Sequence, residues 1–180
     1  LSMLGLLQGR VIDSAGGYGL LVRMLRDLGV DARWEDRYCD NLVARGFEAG
    51  VDEPADLLTA FEVMEHMVDP LAEMRRLSAR APHVLVSTSL IPEPTPALAA
   101  WWYYAPAGGQ HIGFFRARTL QYIAARLGCR VFSDGRSFHL FTSATSMSPL
   151  RFAWARKTAA LAPLIARARL RSRTWDDFHA

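Results

Sequence analysis

The segment GRVIDSAGGYGLLVRMLRDLG, Gly9 to Gly29, changes character twice. Gly9 to Asp13 is a short β-rich run that ends on an acid. Asp13 to Gly19 then carries three glycines, Gly16, Gly17 and Gly19. From there Leu20, Leu21, Met24, Leu25 and Leu28 recur at helical spacing, and Gly29 is a natural C-terminal stop. The segment predicts a strand, a glycine-rich turn and a helix. Glycine in such a turn lets the backbone approach a ligand with no Cβ in the way. The helix N-terminus beyond it offers free N–H groups and the positive end of a dipole.

The same alternation continues outward. Asp31 to Asp36 reads as a second strand ending in acids, and Phe47 to Ala49 as a third, minimal one. Between them, Tyr38 to Gly46 has room for one or two helical turns. Ala55 to Phe61 is a fourth strand. Asp69-Pro70 has the chemistry of a helix N-cap and first helical residue. His83 to Leu90 is a continuous β-branched strand, as expected when both faces are covered. Residues 91–116, rich in Pro, Gly and aromatics, read as an ordered insertion. A helix follows over 117–128. Two last strands, within 129–135 and 137–143, are separated by Asp134-Gly135, a hairpin signal. Ser148 to about Arg173 reads as one long basic helix. The expectation is an α/β fold: a seven-stranded, mostly parallel sheet with an antiparallel last strand and helices on both faces. Residues 1–147 form its main domain, and 148–180 a basic helical extension packed on or beside it. Such sheets bind ligands at the carboxyl ends of their strands. Each unusual cluster in this chain falls there.

Composition sets limits. The 180 residues suffice for one domain with a full core, and 51% hydrophobic with 22% charged is ordinary for a globular protein. No apolar run approaches the ~20 residues of a membrane span. No signal peptide is visible. Cys39 and Cys129 are far apart, with no metal-knuckle spacing, so a reducing cytoplasm is expected. Net charge is +3, with seven Arg or Lys and no acid from Arg151 to Arg173.

Asp36 lies 23 residues after Asp13, at the tip of the second strand. A carboxylate there can accept from both hydroxyls of a ribose. The pairing points to a nucleoside-bearing cofactor; the plain alternative is a simple strand-to-helix turn. S-adenosylmethionine and NAD both fit that geometry. Asp13-Ser14-Ala15-Gly16-Gly17-Tyr18-Gly19, with Asp56-Leu57-Leu58-Thr59-Ala60-Phe61-Glu62 and the closing hairpin, resembles the class I S-adenosylmethionine-dependent methyltransferases over about Arg10 to Ser143. The resemblance implies the Rossmann-like form of the sheet. It also implies that Asp13, Ala15, Gly16, Gly17 and Gly19 hold the methionine part, and that Asp36 holds the ribose. Arg37 and Phe47 would flank the adenine, with Phe61 and Glu62 beside the sulfonium. Ala15 stands where the family usually has its first glycine. The family's N-terminal cover helices are mostly missing, and the chain opens on Leu1, so that cover is expected to be truncated.

The run FEVMEHMVDP places Glu62, Glu65 and His66 at i, i+3 and i+4. On a helix these share a face. Two carboxylates and an imidazole suit Mg²⁺, Mn²⁺ or Fe²⁺, with Zn²⁺ also served. His111, in the insertion, would fold over the same edge and complete the set. Glu-x-x-Glu-His with a later histidine is similar to the metal site of two groups of metal-dependent O-methyltransferases, acting on catechols and on small RNAs. By that resemblance Glu62, Glu65, His66 and His111 are metal ligands, and His66, His111 and Glu65 the catalytic set. Two metal-free readings stay open. Glu62 alone would serve the cofactor, with Glu65 a surface acid and His66 a supporting residue. Otherwise His66 or His111 would act as a general base.

The leading expectation is therefore a methyltransferase acting on a hydroxyl of a small metabolite. An NAD-dependent oxidoreductase and a non-catalytic binding module with this fold are the alternatives. No nucleic-acid partner is expected, so an RNA 2′-O-methyltransferase ranks below these. Peripheral membrane contact by the basic tail and a homodimer are left open. The aromatic run Trp101 to Tyr104 is either a substrate lid or a plug over the sheet edge.

Overall fold

A computed structural model describes residues 1–179. One six-stranded sheet, in the order β2-β1-β3-β4-β6-β5, forms the centre. The strands are β1 (Arg10–Ser14), β2 (Asp31–Glu35), β3 (Leu57–Phe61), β4 (His83–Ser87), β5 (Arg130–Ser133) and β6 (Phe138–Thr142). The first four are mutually parallel; β6 runs antiparallel to β4, and β5 to β6. Helices α1 (Leu20–Asp27), α2 (Pro70–Arg80) and α3 (Ala117–Arg126) connect them.

Strand periodicity explains the two cores. Successive strand residues point to opposite faces. Ile12, Leu58 and Phe141 accordingly join Met74, Leu77, Leu120 and Ile123 in one cluster. Their neighbours Val11, Leu57 and Leu140 join Val22, Leu25 and Ala155 in the other. Helices thus cover both faces, in the Rossmann-like arrangement. Asp69 caps α2 as its sequence promised, with its carboxylate accepting from Ala72 N–H at 3.0 Å. At the hairpin, Asp134 Oδ1 accepts from the N–H groups of Arg136, Ser137 and Phe138.

Three expectations need correction. The sheet has six strands, not seven. The segment 47–49 pairs with β2 through a single bridge, Trp34 to Glu48, between Gly46 and Gly50, which leaves too little chain for a ladder. Residues 38–46 form turns, not helix, and the Asn41 side chain bonds both N–H and C=O of Ala44 in place of a helical ladder. The tail is not one helix. It breaks into α4 (Pro149–Lys157), a 3-10 turn, α5 (Ala162–Arg169), an extended stretch and α6 (Thr174–Phe178). Pro163 lies in the first turn of α5; a continuous helix would set its ring against the carbonyl of residue 159. Among the described residues no helix is long and apolar enough to cross a membrane.

Candidate active site

Because β1 to β4 are parallel, Ser14, Glu35, Phe61 and Ser87 end at one edge. The glycine loop leaves β1 there. Gly16 N–H donates to Glu35 O, and Gly17 N–H to Asp36 Oδ2 at 2.9 Å. A residue that sequence reasoning passed over, Trp34 of β2, donates from its indole to Gly17 O at 2.8 Å. A Cβ on Gly16 would lie 2.9 Å from both Asp13 Oδ2 and Trp34 Cδ1. Glycine at 16 is thus a packing requirement. Gly19 has φ +89°, and a Cβ there would lie 2.5 Å from Asn41 Oδ1.

Ala15 takes φ +61°, the left-handed region that costs a non-glycine residue roughly 1–2 kcal/mol. Part of that is offset because glycine loses more freedom on folding. Ala15→Gly is therefore expected to stabilise the protein by about 0.5–1 kcal/mol, read from urea melts. An unchanged or lower midpoint would show the loop relaxed around the methyl group.

Asp13 sits behind this loop, 4% exposed, and accepts from Thr59 Oγ1 at 2.5 Å. Burial pushes its carboxyl up to about 6, against the hydrogen bond from Thr59 and with the charge of Asp36 adding to the rise. Asp36 accepts from three backbone N–H groups, Gly17, Tyr38 and Cys39. A carboxylate offers roughly four acceptor positions, so about one is left for a ligand. A cavity of ≈ 400 Å³ opens in front, bounded by Ala15, Asp36, Arg37, Val63, His66 and the first turns of α2. Of the predicted cofactor residues, Ala15, Asp36 and Arg37 line it; Asp13, Gly16, Gly17, Gly19, Phe47, Phe61 and Glu62 do not. The Phe47 ring lies under the Arg26 guanidinium, 3.6 Å from its centroid, and packs against the cluster that holds Val22 and Leu25. Phe61 meets Phe138 edge-on at 5.8 Å.

The structure separates Glu62 from the other ligand candidates. Glu62 has φ +52° and precedes a 3-10 turn, Met64–His66. Its carboxylate accepts from Ser87 Oγ at 2.6 Å and from Tyr103 OH at 3.1 Å. It thereby ties β3, β4 and the insertion together. Backbone strain of this kind gathers at functional sites. Burial pushes the Tyr103 phenol far up, and the neighbouring Glu65 carboxylate adds to it.

Glu65, His66 and His111 do converge, with one donor atom from each within 4.8 Å of the others. Glu65 is 0% exposed, and neither carboxylate oxygen has a partner. The Glu65 carbonyl accepts from Ile112 and Gly113 N–H, which fastens the insertion to this turn. His66 Nδ1 bonds Gln110 O at 2.9 Å, and His111 Nδ1 bonds Tyr103 O at 2.6 Å. A carbonyl only accepts, so each Nδ1 carries the hydrogen, and in the neutral ring each Nε2 keeps a free lone pair. Metal-ligating histidines are oriented in this way. Of the aromatic insert, Tyr103 is buried between Glu62 and His111, and Trp101 packs on Tyr103, Tyr104 and Phe114.

A family model described as a methyltransferase domain matches residues 3–134. No curated protein matches the chain in sequence. Among solved structures, the chain is similar to magnesium protoporphyrin IX methyltransferase from Synechocystis PCC 6803 with bound S-adenosylhomocysteine, at 16% identity and TM-score 0.53, over 74% of each chain. It is also similar to mitomycin 7-O-methyltransferase, at 19% identity and TM-score 0.57, over 74% of this chain and 49% of that one. A third is an O-methyltransferase of neocarzinostatin biosynthesis in complex with S-adenosylhomocysteine and 1,4-dihydroxy-2-naphthoic acid. There the identity is 18%, the TM-score 0.56 and the coverage 79% and 51%. The chain thus spans about half the length of the last two.

Proposed function

This chain belongs to the methyltransferase domain family, within the class I S-adenosylmethionine-dependent methyltransferases, and from that premise we propose that it methylates a hydroxyl of a small molecule with the help of a divalent metal. The observation that carries the metal is Glu65: a buried carboxylate with both oxygens unpartnered, beside two imidazoles whose Nδ1 atoms are already fixed. An isolated buried charge is costly unless something pairs with it. Glu65, His66 and His111 would hold Mg²⁺, Mn²⁺, Fe²⁺ or Zn²⁺; Glu62, occupied by Ser87 and Tyr103, would not join them. When bound, such an ion lowers the pKa of a coordinated hydroxyl.

The remaining steps belong to the chain. Asp13 and the loop at Ala15 to Gly19 hold the methionine part, and the free acceptor position of Asp36 takes one ribose hydroxyl. Arg37 borders the adenine end of the cavity. Phe47 has no part in it, and Phe61 and Glu62 act as supports. S-adenosylmethionine would supply the methyl group to the acceptor oxygen, whose proton would leave to solvent once a bound ion had lowered its pKa. In a metal-free variant of this reading, the free Nε2 of His66 or His111 takes the hydroxyl proton while its Nδ1–H stays on the backbone carbonyl. Calorimetric titration with S-adenosylhomocysteine and with NAD⁺ tests the donor: heat with the first alone is expected, and heat with NAD⁺ alone overturns the reading.

Asp13 gives that titration a pH signature. Its folded value is raised from 3.8 to about 6, so in the free protein its stabilising contribution is complete below ~4 and lost as pH rises through 6. The ammonium of the cofactor favours the ionised form. Below pH 6, binding should therefore release a proton, and affinity should fall by up to about tenfold per pH unit. Titrations at pH 5 in buffers of different ionisation enthalpy measure the release; no buffer dependence would place the ammonium elsewhere.

A further inference from the structure

A second cavity, of ≈ 650 Å³, lies at the same edge beyond β4, and no step of the proposed reaction has used it. Its walls are the chain leaving β4 (residues 89–93), the start of α3 and the hairpin tip at residues 135–137. Leu90, Ile91 and Pro92 make one side apolar, and Trp101 supplies a flat indole. Three guanidinium groups, Arg116, Arg118 and Arg136, stand around it. The only acid on its lining is Glu93, which pairs with Arg116 and whose side chain is 81% exposed. Arg118 and Arg136 are exposed, and neither is in an ion pair among the described residues.

Net positive charge around a cavity with an aromatic wall selects a ligand that is flat and anionic. Guanidinium matches carboxylate and phosphate with two parallel hydrogen bonds. The indole face serves ring stacking. The cavity is also close to the reacting centre. Trp101 packs on Tyr103 at 5.3 Å between ring centroids, and Tyr103 meets His111 at 4.6 Å while its hydroxyl reaches Glu62. A solvated arginine cluster unrelated to the site would have no reason to share its aromatic wall.

The geometry points to this cavity as the acceptor's specificity pocket: it takes the anionic group, carboxylate or phosphate, of an acceptor whose ring lies along Trp101. This assignment rests on the methyltransferase reading above, and the test keeps the two apart. Protein saturated with S-adenosylhomocysteine is titrated with benzoate, phenyl phosphate and benzyl alcohol. At least one anion should bind tenfold or more tightly than the alcohol, and the better of the two identifies the group. Arg118→Ala with Arg136→Ala should erase that preference and leave S-adenosylhomocysteine affinity within twofold. Equal binding of all three, binding of none, or a preference that survives the double substitution overturns the pocket. In any of these cases, uptake of S-adenosylhomocysteine leaves the methyltransferase reading standing. Failure of that uptake sinks the methyltransferase reading instead.

Discussion

Glu65→Leu is expected to raise the melting temperature of metal-stripped protein by roughly 2–10 °C while lowering turnover about 10²–10⁴-fold. The two effects have one cause. Glu65 is fully buried, and neither of its oxygens is hydrogen-bonded, the neighbouring Tyr103 hydroxyl being turned to Glu62. Leaving a buried polar group unsatisfied costs about 1–3 kcal/mol, more when it is charged. Leucine removes that cost, though it ends one atom short of the carboxylate oxygens and the small gap left behind takes back part of the gain. Natural sites keep such a group where function needs it, at the expense of stability. Under the proposed role, Mn²⁺ added to stripped wild-type protein should raise its melting temperature, because a ligand that binds only the folded state stabilises it. The leucine variant should show no such rise. His111→Ala should also lose the Mn²⁺ response, without the gain in basal stability, since the His111 ring packs on Tyr103 and His66. A leucine variant that melts below wild type would mean the carboxylate holds the fold together, and the metal proposal would fail with it.

The sequence carried local information well and directional information poorly. The turn after β1 was legible because glycine spacing, the flanking acid and the helical period are all contiguous. Asp69-Pro70 and Asp134-Gly135 were legible for the same reason: each is a cap or turn made by neighbours. The nearness of Glu65 and His66 could be anticipated from spacing and the approach of His111 from the expected fold of the insertion and the resemblance, but the departure of Glu62 could not. It follows from a positive φ, and nothing in FEVMEH signals one. Phe47 was placed at the adenine end by the family resemblance alone. Its ring instead packs against the cluster that holds Val22 and Leu25, where Arg26 covers it. A strand of one bridge has no period to read, so its facing was undetermined. The tail's basic, Ala/Leu-rich composition suggested one helix and gave no sign of the return that brings Asp177 to α1, because that contact joins residues 151 apart in sequence.

Asp177→Ala is expected to have the opposite signature, destabilising the protein by about 3 kcal/mol while sparing the site. Asp177 and Arg26 are each 5% exposed in their side chains. Arg26 Nε and Nη2 donate to the two Asp177 oxygens at 2.8 and 2.6 Å, and Arg23 adds a third bond at 2.9 Å. Removing the carboxylate strands a guanidinium in the core; such losses run about 3–5 kcal/mol. The lower end applies, since Arg26 Nη1 keeps Ala32 O and Asp31. The hydrogen bonds from Arg26, with the positive charges of Arg26 and Arg23, hold the Asp177 carboxyl below its usual value. Its contribution is therefore present above the unfolded value and lost as pH falls through the folded one. In urea melts the gap between wild type and variant should be smaller at pH 3 than at pH 7. The docking also brings the Arg171 backbone against Gly29, where a Cβ would lie 2.2 Å from the Arg171 carbonyl oxygen. Gly29→Ala should consequently loosen the same clasp. None of these contacts reaches the loop at Ala15 to Gly19, which is braced by Trp34 and Asp36. S-adenosylhomocysteine affinity measured well below the melting point should then change less than about twofold. A large loss of affinity in Asp177→Ala would show that the clasp orders the cofactor loop through α1, making the tail part of the binding machinery and not only of the fold.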